Sequence, residues 1–446
     1  MTDLRDAPTS TRGARGDLIA IGVAVALVGI SSLVGFQLAR DGRHLYLGFP
    51  PLAAGWMPHV GPGTPVAIAV ALSVVRYGPA VAERMTWRPL LWSSWAVSVL
   101  WTFGLAMIDG WQAGVAGRLT TDQEYLFNVP QVGDIAAMMR TFSDHILTDQ
   151  QVFWTTHVGA HPPGAFLLFV WLDRVGLGGG GAASTAVILI GASACAAVAV
   201  ALRAFDGEQT ARSVLPFSVL FPGAVWVGVS ADGMFAAALA WSVALIALGA
   251  TRRGHRADLC SLAGGLLLGY TLYLSYGLAL AVPIALLPVA VTRRWRAGGV
   301  ALAGAALVAA AFTAAGFWWP TGYHDLRIIY AESAAKDRPY LYFLLADLAA
   351  FACVIGPATI AGLRRLATTP RAIPTPAALL VAASAAAVLA ADVSGLSKAE
   401  VERIWLPFGV WLVVACALLP GRHRRRWLAA QALLAIGINS FLFTTW

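Results

Sequence analysis

Apolar runs of roughly 17–25 residues, each able to cross a hydrocarbon core about 30 Å thick, recur along this chain and constrain its fold more than anything else. They fall at 18–38, 64–80, 90–108, 161–176, 183–202, 213–229, 232–250, 258–275, 277–291, 298–318, 341–362, 376–392, 404–420 and 427–443. A backbone in lipid must satisfy its own hydrogen bonds, so runs of this length fold as helices. A membrane β-barrel would instead show alternating segments of about ten residues. The expected fold class is an all-α polytopic membrane protein. Charge content agrees: 12% of the residues are charged and 58% hydrophobic, whereas a soluble domain carries about a quarter charged residues. No soluble domain interrupts the runs, so 1–446 reads as one membrane-embedded domain with 1–17 as a cytoplasmic tail.

The formal net charge of +8 does not indicate a nucleic-acid partner. The basic residues sit in short clusters between apolar runs, at Arg252-Arg253, Arg293 to Arg296, Arg364-Arg365 and Arg422 to Arg426. That is the pattern of cytoplasmic loops. Cys195, Cys260, Cys353 and Cys416 lie in or beside apolar runs without metal-like spacing, and read as small buried hydrophobes. The first run follows a tail bearing Arg5, Arg12 and Arg15 and lacks a small-residue cleavage site, which makes it a retained helix.

Counting spans from both ends places 109–161, 319–340 and 392–403 on the outer side. The two counts collide between 176 and 230, so one segment there must be broken or re-entrant. Val214–Val229, interrupted by Pro216 and by Phe221-Pro222-Gly223, is the expected one, leaving about 13–14 helices. The outer segments carry Arg118, Arg140, Arg327, Lys336, Arg338, Lys398 and Arg403, on the side where Lys and Arg are normally sparse. Cations there invite an anionic ligand, although local carboxylates or headgroups would also pair with them.

Five stretches could carry chemistry. In 109–161, Asp122 and Glu124 follow a span, and Val132–Ile146 has the spacing of an amphipathic surface helix. The plain reading makes Asp122 an N-cap and Glu124 a solvated charge. Further on, His157 and His161 precede Pro162-Pro163, which suit a first helical turn. The prolines argue against a shared helix and hence against zinc; the rings could hold phosphate oxygens or orient a carboxylate. "SADG" at Ser230–Gly233 puts Asp232 at the head of a run, where the helix dipole favours it even without function. Gly265–Leu278 reads mainly as packing. His324, Asp325, Arg327, Glu332, Lys336, Asp337 and Arg338 lie among aromatics, and Lys398, Glu400, Glu402 and Arg403 crowd against a span. An arginine at that depth needs a partner, and a lipid-linked phosphate would serve. A carboxylate base among such cations suits glycosyl transfer, in which an acceptor hydroxyl loses its proton while a sugar–phosphate bond breaks.

Taken together, "DQEY", "HPPG", "SADG" and "EVERIWLPF" resemble the GT-C superfamily of membrane glycosyltransferases, over most of the chain. The resemblance implies a polyprenyl-phosphate sugar donor and an active site on the extracytoplasmic face of the plasma membrane. It also implies that Asp122 or Glu124 is the catalytic carboxylate; Gln123 separates the two, so both remain candidates. His157, His161, Arg327, Lys336, Arg338, Lys398, Arg403, Asp232 and Glu402 would bind the donor phosphate or substrate. "EYL", "HPPG", "LDRVGLGGGG" and "EVERIWLPF" look most like actinobacterial envelope enzymes, in particular methylthioxylosyltransferases of mannose-capped lipoarabinomannan. That implies a decaprenyl-phosphate donor and a lipoglycan acceptor. Some relatives use a divalent cation; no carboxylate cage for one is visible here. A flippase or transporter would exploit the helix breaks at Pro216, Pro222 and Pro283, but would place its charges mid-span rather than at one face. A scaffolding protein would leave the outer cations unexplained.

Overall fold

The computed structural model describes residues 11–149, 152–228, 230–368 and 375–445. The first ten residues of the expected tail, Arg5 included, and Val229 lie outside them. Among the described residues, eight helices are long and apolar enough to cross a bilayer: Gly13–Arg40, Thr64–Arg84, Trp87–Ala106, Gly180–Phe205, Asp232–Thr251, Trp295–Ala314, Tyr340–Thr368 and Pro376–Ser394. Leu406–Leu418 and Gly421–Phe441, bent by 117°, make up to nine if they form one span. The chain is therefore an all-α polytopic membrane protein.

The lower count, against about 13–14 expected, has a physical cause. Hydropathy records what can be buried, not where the backbone breaks. The run at 161–176 becomes Pro163–Leu172 followed by a π-turn with Gly176 left-handed. The run at 277–291 is a 3-10 segment joined to the short helix Val282–Thr292. His255–Leu272 opens with His255, Arg256 and Asp258, which dilute its hydropathy. The run at 213–229 breaks where its prolines and glycine suggest: Glu208–Val219 ends, and Ala224–Val227 follows as a separate turn. The freed backbone stays paired within protein, with Gly223 N donating to Val354 O at 2.9 Å and Trp101 Nε1 to Phe221 O at 3.4 Å.

Asp232–Thr251 is the central helix, with 78% of its most apolar window buried, against 11% for Gly13–Arg40 at the rim. It packs on His255–Leu272 and on Ala194–Phe205. His255–Leu272 in turn meets Trp295–Ala314 through Gly265, where a Cβ would collide with the Ala301 carbonyl. Such close approach is how membrane helices pack without a hydrophobic drive between them. Gly265 thus has the packing role its sequence suggested. The four cysteines are free thiols.

Two short strands, Ala54–Trp56 and Leu442–Thr444, pair antiparallel and tie the early polar loop to the C-terminal segment. The expected surface helix forms only over Ile135–Arg140, capped by Asp134, whose carboxylate accepts from Ala136 N at 2.8 Å. Its Met138 and Met139, with Phe142 and Ile146, point into the protein core, so the amphipathic face is used for packing rather than laid on a surface.

Candidate functional site

The polar segments converge at one end of the helix bundle. After Trp87–Ala106 the chain runs through a π-turn and a 3-10 turn to a turn over 121–124, closed by Glu124 N donating to Thr121 O at 3.1 Å, and Glu124 is the N-cap of Tyr125–Asn128. The stretch around "WTTH" is stitched to it. Thr155 Oγ1 donates to Asp122 O, Thr155 N donates to Asn128 Oδ1 at 3.0 Å, and His157 N donates to Gln123 O at 3.0 Å. These bonds set the direction of the two carboxylates. Asp122 is exposed, and Glu124 is only 2% exposed.

Glu124 Oε1 lies 3.1 Å from His157 Nδ1. On the far side of that ring, Nε2 is 2.8 Å from Arg403 Nη2. Arg403 also donates through Nη1 to Asp232 Oδ2 at 2.9 Å and through Nη2 to Glu400 Oε2 at 2.8 Å. A buried chain of contacts therefore runs from the first polar segment through the head of the central helix to the late one. Burial works against the Arg403 charge, but Asp232, Glu400 and Glu124 outweigh it and hold its pKa above the usual value. For Glu400, burial raises the pKa while Arg403, Arg338 and His157 lower it, and the net shift is downward.

Ala399 and Glu400 both adopt left-handed backbone, at φ 69° and 61°. Non-glycine residues there cost on the order of 1 kcal/mol or more each and persist only when their surroundings over-determine them. Those surroundings are visible. Ala399 N donates to Asp347 Oδ1 at 3.0 Å, and the Glu400 carboxylate is gripped by Arg403 and, at 3.4 Å, by Arg338.

The other expected residues divide. His161 opens the turn before Pro163, with Nδ1 2.7 Å from His157 O; burial pushes its pKa down to about 4. Arg338 and Lys398 bind one another's carbonyls, at 2.6 Å and 3.0 Å, so they brace the late loop. Glu402 turns away from the chain around Arg403 and accepts from Ala53 N at 2.7 Å; burial raises its pKa to about 7. Arg327 and Lys336 stay exposed on the 319–338 segment, which joins the same end through the Tyr330 hydroxyl donating to Gly395 O at 3.1 Å. Asn128, Glu400 and Asp347 also shape the site. The one signal for Asp347 was an acid inside an apolar run, itself a reason to look.

Tyr125 stacks on Phe169 at 5.0 Å and on His157 at 6.1 Å between centroids, closing the network from one side. Behind His161, whose ring is 5.9 Å from that of Phe235, lies an apolar cavity of about 380 Å³. Phe235, Trp241, Leu245, Leu267 and Tyr270 help to line it. Among the described residues, no group of three or more His, Cys, Asp or Glu is placed to hold a metal ion.

No protein-family model and no curated protein matches the chain. Among solved structures it is similar to ArnT from Cupriavidus metallidurans in the apo state, with 17% identity and a TM-score of 0.44 over 73% of this chain and 59% of that one. The same protein bound to undecaprenyl phosphate gives 15% identity and a TM-score of 0.44 over 72% and 59%. The chain thus matches less than two thirds of the length of that neighbour.

Proposed function

We propose that this protein is a membrane glycosyltransferase that moves a sugar from a polyprenyl phosphate to a cell-envelope glycan. The observation that carries the reading is the buried contact chain Glu124–His157–Arg403–Asp232, which draws together the same motifs that resemble the GT-C superfamily. The apolar cavity beside it suits the lipid part of such a donor. Glu124 is the base of the pair: it sits within the network, and Asp122 faces solvent. In the reaction, the acceptor hydroxyl gives its proton to Glu124 as its oxygen bonds to the anomeric carbon. The anomeric carbon–oxygen bond to phosphate breaks, and its electron pair leaves with the polyprenyl phosphate.

Arg403, Arg338 and Lys398 are occupied by protein groups, so we assign the leaving phosphate's charge to the exposed Lys336 and Arg327. In this reading the site faces the extracytoplasmic side of the plasma membrane. The sequence phrases favour a decaprenyl-phosphate sugar as donor, methylthioxylose or another pentose or hexose, and a lipoglycan such as mannose-capped lipoarabinomannan as acceptor.

The test uses the purified chain, a panel of decaprenyl-phosphate pentoses and hexoses, and a mannoside acceptor. Glu124→Gln should lower transfer by about 10²–10⁴-fold, with Asp122→Asn close to wild type. Transfer by Glu124→Gln at the wild-type rate would remove Glu124 from the chemistry. Movement of intact lipid-linked sugar across vesicles without transfer would identify a flippase.

A further inference from the structure

We propose that the stretch 56–60, which continues the strand Ala54–Trp56, lies in the headgroup–acyl boundary of a phospholipid bilayer, at the end of the bundle where the polar segments converge.

Residues 41–63 join two membrane helices, Gly13–Arg40 and Thr64–Arg84, so both ends of this connection leave the bilayer on one side. Its outward side chains are nevertheless apolar. Trp56 is 62% exposed, Met57 43% and Val60 79%. Aromatic rings extend this surface sideways: Phe36, Phe49, Trp56 and Phe441 touch in that order, with centroids 5.7, 5.8 and 5.9 Å apart. Phe36 and Phe441 are themselves exposed. A contiguous apolar patch of this kind marks a surface that meets another apolar phase.

The position of the ladder identifies that phase as lipid. Phe36 lies one turn before the end of Gly13–Arg40, on the order of 6 Å along its axis, and Phe441 ends Arg424–Phe441. The rings therefore sit where helices leave the hydrocarbon, the depth at which amphipathic aromatic residues collect. Exposed Arg40 and Arg43 come a turn or more after Phe36, on the water side, where lipid phosphates would receive them.

The polar atoms of the stretch turn inward. Trp56 pairs with Leu442 across the two strands, Met57 N donates to Phe441 O at 3.0 Å, and His59 N donates to Ser440 O at 2.8 Å. Pro58 has no N–H, and Gly61 N donates to Thr64 Oγ1 at 3.1 Å. The His59 ring meets Met57 O at 2.6 Å and Asp109 Oδ1 at 2.5 Å, and Arg118 holds Asp109 at 2.9 Å. A strand edge can enter lipid only if its polar backbone is satisfied within the protein, and this one meets that condition.

The stretch is also anchored. Ser32 Oγ donates to Pro50 O at 2.7 Å, Thr445 N to Ala53 O at 2.9 Å, and Ala53 N to Glu402 Oε1 at 2.7 Å. Glu402 directly precedes Arg403, so the lipid surface is fixed relative to the buried network. This placement stands whether or not the protein transfers sugar.

Hydroxyl-radical footprinting of the full chain in phosphatidylcholine–phosphatidylglycerol nanodiscs tests the placement without any substitution. His324, whose side chain is 75% exposed, should be oxidised, and oxidation of Met57 should be lost. Methionine is the more reactive of the two toward radicals, so Met57 oxidised as fast as His324 would overturn the proposal. A second measurement puts p-benzoylphenylalanine in place of Val60 and irradiates the same nanodiscs. The peptide carrying position 60 should gain a phospholipid adduct. A cross-link to a second chain would overturn the proposal in favour of a contact between copies, and recovery of the unreacted ketone alone would place the stretch in water. If that variant loses the wild-type thermal midpoint, the footprint of the unmodified chain decides.

Discussion

Arg403 and His157 stand 246 positions apart and meet at 2.8 Å, Nη2 to Nε2. The contact joins the last polar segment to the first, and Asp232 completes it from the middle of the chain, 171 positions from Arg403. One guanidinium thus ties three parts of the chain at one end of the helix bundle.

The Arg403–Asp232 pair should be needed for stability. Both side chains are only 6% exposed, and removing one partner of a buried ion pair costs about 3–5 kcal/mol. Asp232→Leu alone should lower the thermal midpoint in detergent by several degrees. An Asp232→Leu, Arg403→Met double variant should recover part of the loss, since the guanidinium that the single variant leaves short of a partner is gone. No recovery would show that Arg403 is held chiefly by Glu400.

Gly265 and Gly299 provide a contrast within one helix pair. A methyl group at Gly265 meets the Ala301 carbonyl, whereas at Gly299 it meets nothing within 4 Å. Gly265→Ala should cost about 1–3 kcal/mol of stability, the usual cost of overpacking. Gly299→Ala should be neutral or slightly stabilising. Equal melting curves for the two variants would contradict the close helix contact.

Glu402 should make stability depend on pH. Its pKa rises from the ordinary 4.5 to about 7 because of burial, which favours the protonated form in the fold. A raised carboxyl value contributes stability that is complete below pH 4.5 and lost as pH rises through about 7. The loss is on the order of 3 kcal/mol. His161 acts in the opposite sense: its value falls from 6.5 to about 4, so its contribution is present above 6.5 and lost as pH falls through 4. The effect of Glu402 is therefore read as the difference between wild type and Glu402→Gln, which keeps an acceptor for Ala53 N. That difference should grow between pH 4.5 and 7, and a flat difference would refute the shift.

The apolar cavity should discriminate lipid length. Ala238 lines it beside Trp241, so Ala238→Trp should fill much of its volume of about 380 Å³. The expected result is a raised donor KM for a decaprenyl phosphate sugar, with a smaller effect on a short-chain analogue. Equal effects on both would place the lipid elsewhere.

Much of this protein was legible from local pattern. The apolar runs marked the membrane helices, because a helix in lipid needs only length and hydrophobicity. Phe221-Pro222-Gly223 marked the break, because proline and glycine act on their own backbone. The polar segments at 109–161, 319–340 and 392–403 were visible as charge beside aromatics. Tertiary structure alone decided that Glu124 is buried and Asp122 exposed, that Arg403 grips His157, Asp232 and Glu400, and that Glu402 turns away to Ala53. It also decided which runs were too broken to cross. Hydropathy and spacing reflect each residue's own neighbourhood, whereas an ion pair between positions 171 or 246 apart exists only once packed helices bring their ends together.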